Sequence, residues 1–392
     1  MTPHEATAAL IQRLAVVYRT REAIAPGRVL AEDVVADRPS PAANVSAMDG
    51  YAVRNAELRD HGKLPVTGDA RAGSPPQLLG SASAMRIFTG AVVPTGADTV
   101  VMRERIDERD SASMRLLVAD DSIKPGEHIR YLGENGSAGD VVISRGTILN
   151  AATIAAAANF GVATASLYRR VSVSVIVTGD ELLDITSTPE PWQIRDSNGA
   201  TIRAVCDSRP WLSCLNVVRA QDDPVSLRQT ISHAIQTSDA VVITGGVSKG
   251  DHDYVPAIIA DLGNEIIFHR LPIRPGRPIL GAVSPDGKLI LGLPGNPVST
   301  LVTMTQFGLP MLGHVSGQTG VPVVPQPVTV VGDIDATLDL HWYRLVRTTG
   351  PGQAEIIKTR GSGDLVALAK STGYVHQPPR QTGPGPWPYV AW

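Results

Sequence analysis

Three kinds of residue in this sequence suit a phosphorylated substrate: glycines that free backbone N–H groups, arginines that fork onto oxyanions, and carboxylates that hold a hard cation. The glycines lie in Thr178-Gly179-Asp180-Glu181 and in Thr244-Gly245-Gly246-Val247-Ser248-Lys249-Gly250-Asp251-His252-Asp253. Backbone N–H groups in such turns can form nests for a phosphate, although a Gly-rich turn alone is a weak signal. Arg270, Arg274 and Arg277 cluster around Arg274-Pro275-Gly276-Arg277-Pro278, where proline spacing presents rigid forks to oxyanions instead of packing them into a core. Glu181, Asp222 and Asp253, if they converge, supply oxygen ligands for Mg2+. Each acid alone also reads as a solvated helix cap, Asp222 above all. Together these groups describe a Mg2+-plus-phosphate site. No Ser-His-Asp or Cys-His arrangement stands out, and His4, His61 and His128 lie among polar residues as surface or structural groups.

The elements that must position these residues follow from periodicity. Val171 to Val177 is a β-branched run ending at the first Gly turn, and Ala240 to Ile243 ends at the second. Asn198 to Val205 reads as a helix, Leu215 to Val218 as a strand, and Asp222-Asp223-Pro224 opens a helix with acids and Pro in its first turn. His252 to Leu262 looks helical, Glu265 to Phe268 extended, and Leu289 to Leu291 runs into Leu293-Pro294-Gly295-Asn296-Pro297. Alternating strands and helices predict a mostly parallel sheet, whose ligands bind beyond the carboxyl ends of the strands. Upstream, Thr2, Pro3 and Glu5 form a capping-box helix start. Residues 44 to 141 read as an all-β or α+β insert, Ile148 to Tyr168 as a buried or half-buried helix, and the chain after Gly320 as a small β domain.

At 392 residues the chain is long enough for several domains. Its 35 basic against 38 acidic residues leave no excess to neutralise a nucleic-acid backbone. Two cysteines, Cys206 and Cys214, cannot staple such a chain and read as free thiols in a reducing cytoplasm. With no signal core and no convincing membrane span, the expectation is a soluble, cytoplasmic protein that binds neither nucleic acid nor membrane.

The segments SAMDGYAV (46–53), FTGAVVPTGADTVV (88–101), GDVVISRGTIL (139–149), VTGDEL (177–182), RDSNG (195–199), TGGVSKGDHDY (244–254), IRPGRP (273–278) and LPGNPVS (293–299) occur in this order over nearly the whole chain. The sequence thereby resembles the molybdopterin molybdotransferase family, bacterial MoeA and the E domains of its plant and animal relatives. The resemblance implies an α/β multidomain fold. Its parts are an N-terminal linker domain (1–43 and 142–170), an inserted α+β domain (44–141), a molybdopterin-binding α/β domain with a mostly parallel sheet (171–317) and a C-terminal β-barrel domain (318–392). It implies a homodimer with an active site shared between the α/β domain of one subunit and the insert of the other. The implied reaction inserts molybdate into adenylylated molybdopterin and releases AMP with Mg2+.

On the same grounds the catalytic groups fall on Asp49, Thr89, Glu181, Asp222, Asp253, Arg270 and Arg274, with Glu181, Asp222 and Asp253 as metal ligands. Substrate contacts fall on Thr178, Gly179, Gly245, Gly246, Ser248, Asp251, Pro294, Asn296, Arg344 and Ser362. Further partners would be a molybdopterin adenylyltransferase and a molybdoenzyme or its chaperone. Two positions depart from the family. Arg270 and Arg274 stand where relatives often have Lys, which exchanges a point charge for a bidentate fork. Asn135 stands where relatives commonly have an acid, with Glu134 as its substitute. Two other readings keep part of this logic: a scaffold that has lost catalysis, and a nucleotide pyrophosphatase, which leaves the SAMDGYAV insert unexplained.

Overall fold

The computed structural model describes residues 1–118, 122–248, 250, 253–320 and 325–392. The chain divides into two compact units, residues 1–32 with 144–155 and 163–392, and residues 33–143 with 156–162. The four-domain division implied by the resemblance is finer than this one. Among the described residues no helix is long and apolar enough to cross a membrane.

In the larger unit the β-branched run forms β1 (Val171–Thr178), almost wholly buried, as suits a central parallel strand. Helix α1 (Ser197–Asp207) starts where Asp196 accepts the Gly199 N–H. It leads to β2 (Leu212–Ala220), and α2 (Pro224–Thr237) follows with Pro in its first turn and Asp223 as its cap. Then come β3 (Ala240–Thr244), α3 (Val255–Asp261) and β4 (Glu265–His269). A two-residue strand, β5 (Ile273–Arg274), departs from the sheet, and β6 (Leu280–Val283) and β7 (Leu289–Leu293) return to it. Cys206 and Cys214 are free thiols, as expected.

The sheet runs β2-β1-β3-β7-β6-β4. Its first four strands are parallel, while β6 is antiparallel to both neighbours. The strand β4 therefore points the same way as the parallel four, and the loops after β1, β3, β4 and β7 leave from one edge. The chain passes from β1 out to β2 and returns on the other side as β3. That reversal is the topological switch where such sheets open a crevice.

One face of the sheet packs Val173, Val175, Val242 and Leu291 into a core with Ala6 and Leu10 of the N-terminal helix and with Phe307 and Tyr343. The other face packs Ile176, Ile243 and Ile290 against Ile231 of α2 and Ile259 of α3. The N-terminal helix, Pro3–Ile11, carries the reciprocal Thr2–Glu5 capping box that its sequence predicts. The expected helix over Ile148 to Tyr168 is not observed. A helix covers only Ala151–Asn159, and Thr164–Tyr168 is a strand paired with Arg19–Ala23. Gly161, in the left-handed region, breaks the run that alanine content had suggested was continuous.

The last strands of this unit are β8 (Gln326–Val331), β9 (His341–Gly350), β10 (Gln353–Ile356), β11 (Gly373–Gln377) and β12 (Trp387–Ala391). They pair in the order β9-β10-β8-β12-β11, and β11 returns to β9, which closes a five-stranded barrel. Val328, Val330, Val346, Ala354, Val375 and Trp387 fill it. Strand β5 pairs in parallel with β9, Ile273 opposite His341 and Arg274 opposite Trp342.

The smaller unit holds a six-stranded sheet and the helix Asn55–His61, an α+β arrangement. Its strand Gly50–Val53 is buried between Ala84–Ile87 and Thr99–Met102. A Cβ on Gly50 would sit 1.9 Å from the Val101 carbonyl oxygen, so the glycine after Asp49 is a packing requirement. Gly50→Ala should therefore destabilise this unit by about 3 kcal/mol or more. Denaturant unfolding monitored in this unit checks it, and an unchanged midpoint would contradict the steric account.

Candidate functional site

The loops at the sheet edge are fastened to one another by glycine. Thr178 ends β1 and its hydroxyl donates to the Thr244 carbonyl at 3.3 Å. A Cβ on Gly245 would lie 2.6 Å from Thr178 Oγ1, and Gly245 and Gly246 have φ of +85° and +64°. Only glycine satisfies both the contact and the left-handed backbone. The Gly245 N–H donates to the Leu293 carbonyl at 3.1 Å, and Asn198 Nδ2 donates to the Gly295 carbonyl at 2.6 Å. Thus Thr178, Gly179, Gly245, Gly246, Pro294 and Asn296 gather at one edge, as the strand ends predict. Ser248 is exposed on the same loop, and Asp251 lies outside the described residues. Asn198 Oδ1 and Thr244 Oγ1 are buried here with no hydrogen-bond partner among the described residues, groups that a ligand can satisfy.

Of the candidate acids Asp222 lines a neighbouring cleft of about 450 Å3, together with Gly179, Asp180, Arg219 and Asp223. The helix cap is Asp223, which accepts the Ser226 N–H at 2.7 Å, and not Asp222. Asp222 instead donates its backbone N–H to Asp180 Oδ1 at 3.1 Å. The Glu181 carboxylate folds over Gly179, where a Cβ would come within 2.5 Å of Oε2. Asp253 accepts the Gly250 N–H across a turn. Among the described residues no three His, Cys, Asp or Glu side chains gather as a metal cage, so the expected convergence of Glu181, Asp222 and Asp253 on one ion is not preformed.

A larger cavity, of about 780 Å3, opens between the sheet loops and the barrel. Arg274, Pro294, Asn296, Arg344 and Ser362 all line it, so the structure brings together residues spread over some ninety positions of sequence. Arg277, Lys358, Asp333 and Trp342 line it too. Local sequence carried no signal for Lys358, Asp333 or Trp342, whose roles depend on barrel closure. Arg270 is not among the lining residues. It sits at the end of β4 with a left-handed φ of 70° and donates its N–H to the Ile279 carbonyl. Arg344 is only 7% exposed. Its guanidinium donates to Gln377 Oε1 at 3.1 Å and meets the half-exposed Asp333 only at 3.9 Å. Burial pulls this guanidinium below its usual range, because a cation taken from water with a distant counter-charge is costly. An incoming oxyanion would offset that cost.

In the smaller unit Asp49 and Thr89 meet directly. Asp49 Oδ1 accepts both the Thr89 N–H and the Thr89 hydroxyl, each at 2.7 Å. These bonds, the backbone one first, hold the Asp49 carboxyl below its ordinary value. The Glu134–Asn135 segment is satisfied locally. Arg130 donates to Asn135 Oδ1 at 2.7 Å, and Glu134 accepts the Tyr131 N–H at 2.9 Å.

Known proteins match this chain in sequence and in fold. Residues 1–161 match the model for the MoeA N-terminal region (domain I and II), and residues 174–314 match that for a probable molybdopterin binding domain. A molybdopterin molybdenumtransferase of Nostoc sp. is 38% identical over 75% of this chain and 68% of its own length. One from Staphylococcus aureus is 34% identical over 89% of this chain and 84% of its own. A crystal structure of the molybdopterin biosynthesis moeA protein from Pyrococcus horikoshii superposes with a TM-score of 0.83 at 25% identity, covering 100% of this chain and 99% of that one.

Two outcomes follow from the smaller unit. Asp49 is depressed when folded, so its pairing persists above the ordinary aspartate value near ~3.9 and is lost only as pH falls through the lower folded value. Carboxyl NMR titration should place Asp49 below that value, and Thr89→Val should move it up. Asn135→Asp should form an exposed pair with Arg130 and change stability by no more than about 1 kcal/mol, readable by thermal unfolding.

Proposed function

The chain belongs to the molybdopterin molybdenumtransferase family, and on that premise we propose that it inserts molybdate into adenylylated molybdopterin and releases AMP. The protein is a transferase of molybdenum cofactor biosynthesis. The observation that carries the finer reading is the cavity in which Arg274, Arg277, Arg344 and Lys358 face a single partly exposed carboxylate, Asp333. Such a cavity suits a dianion such as molybdate and a phosphorylated pterin better than any neutral ligand.

Backbone N–H groups of the loops after β1 and β3, other than that of Gly245, are offered to the pterin phosphate, with Thr178, Ser248 and Asn296 beside them. Arg274, Arg344 and Ser362 receive molybdate, and Arg270 adds charge at the end of β4. Cleavage of the phosphoanhydride by water yields AMP and the pterin phosphate, and Glu181, Asp222 or Asp253 can orient that water or accept its proton. Mg2+ keeps several waters and takes only one or two carboxylates together with substrate phosphates, so it does not need a preformed cage. Glu181, Asp222 and Asp253 would hold it, and it would offset charge on the cleaved bridge. The Asp49–Thr89 pair serves the site of a second copy in a homodimer, and the two free thiols suit a reducing cytoplasm.

Incubation with adenylylated molybdopterin, Mg2+ and molybdate should release AMP and yield cofactor that reconstitutes an apo-molybdoenzyme. AMP release without reconstitution would favour a plain pyrophosphatase. Arg274→Ala should cost about 1.5–3 kcal/mol of anion capture, partly rescued by raised molybdate. Sedimentation should give about twice the mass of one chain, and a fully active monomer would overturn the shared site.

A further inference from the structure

Two guanidinium groups that line one cavity, Arg274 and Arg344, repel each other, so something must hold them there before an anion arrives. Strand alternation puts Trp342 and Arg344, two residues apart on β9, on the same face of the barrel wall. The parallel pairing of β5 with β9 adds Arg274 directly opposite Trp342. As a result the Arg274 guanidinium carbon lies 5.4 Å from the Trp342 ring centroid, and that of Arg344 lies 4.3 Å from it. Both are within reach of a cation–π contact, which is strongest for Trp.

The two arginines differ in what else restrains them. Arg344 has a second anchor in Gln377, opposite Trp342 on β11. The Gln377 amide nitrogen donates to the Ala336 and Gln381 carbonyls, which leaves its oxygen to accept from Arg344. Among the described residues Arg274 makes no hydrogen bond or ion pair through its side chain, and the Trp342 ring is its one specific contact.

We propose that Trp342 is a positioning residue whose ring carries the Arg274 and Arg344 forks and aims both at one oxyanion in the cavity. The inference rests on the oxyanion reading given above. An aromatic face is suited to the task because it attracts both cations without neutralising either. A carboxylate in its place would compete with the anion the site must take.

The test uses the full chain, with molybdate binding measured by equilibrium dialysis and with molybdate KM and kcat measured separately. Trp342→Leu should raise the molybdate dissociation constant and KM about tenfold, while kcat at saturating molybdate stays within about twofold. Trp342→Phe keeps a weaker aromatic face and should recover most of that loss. A merely structural tryptophan would lower the unfolding midpoint and kcat together and would not distinguish Phe from Leu. Equal effects of the two, or wild-type affinity in the Leu variant, would overturn the proposal. If the Leu variant does not fold, Trp342→Met keeps the apolar reach and removes the ring, and wild-type affinity there would overturn it equally. Arg274→Ala and Arg344→Ala separate the two failures. Wild-type binding in both would sink the oxyanion reading together with this inference, whereas lost binding in both beside unaffected Trp342 variants would sink the inference alone.

Discussion

Two residues of strand pairing, Ile273 with His341 and Arg274 with Trp342, tie the edge of the α/β sheet to the wall of the barrel. That pairing sets Arg274 against the barrel strand that carries Trp342 and Arg344. Arg274 and Arg277 arise from the excursion between β4 and β6, whereas Arg344 and Lys358 arise from the barrel and the loop after it. Without the pairing these charges would face solvent separately, each worth little to an anion in water. With it they share one partly enclosed space, and the desolvation of Arg344 makes an anion the natural complement.

The sheet supplies the second half of the arrangement by its connectivity. Because β1 and β3 are neighbours while the chain between them visits β2, the sheet has a topological switch point there, where such sheets bind ligands. Glycines at 245 and 246 allow the β3 loop to press against Thr178. Asp180 and Asp222 line a cleft at the ends of β1 and β2, apart from the cavity lined by Arg274, Arg277, Arg344 and Lys358. A substrate with a phosphoanhydride and an incoming oxyanion needs such separation, since carboxylates beside the oxyanion would repel it.

Much of this was legible in the residues themselves. The capping box at Thr2 and Glu5, the β-branched run of β1 and the Asp-Pro start of α2 are local signals, and each appears where local physics places it. The run from Ile148 to Tyr168 misled because alanine favours a helix, while Gly161 and pairing with Arg19–Ala23 decide otherwise. The strand β6 escaped notice because it is short and carries a glycine, and only its neighbours make it a strand. The site shows the same division. Glycine turns and clustered arginines spoke for themselves, and Arg344 and Ser362 were reached through family resemblance. Trp342, Asp333 and Lys358 could not be reached, because a long-range strand pairing, and no nearby residue, gives them their role. The cap that Asp222 could have supplied as the alternative to its metal role falls to Asp223, because adjacent acids before a proline are interchangeable in sequence and not in space.

The central claim is that cations from the sheet edge and from the barrel converge on one oxyanion. Crystals of the protein soaked in molybdate, with anomalous diffraction recorded at the molybdenum edge, test it most directly. The account predicts one strong peak in the large cavity, within hydrogen-bond reach of both Arg274 and Arg344. A peak elsewhere, beside only one of those arginines or away from the cavity altogether, would contradict it.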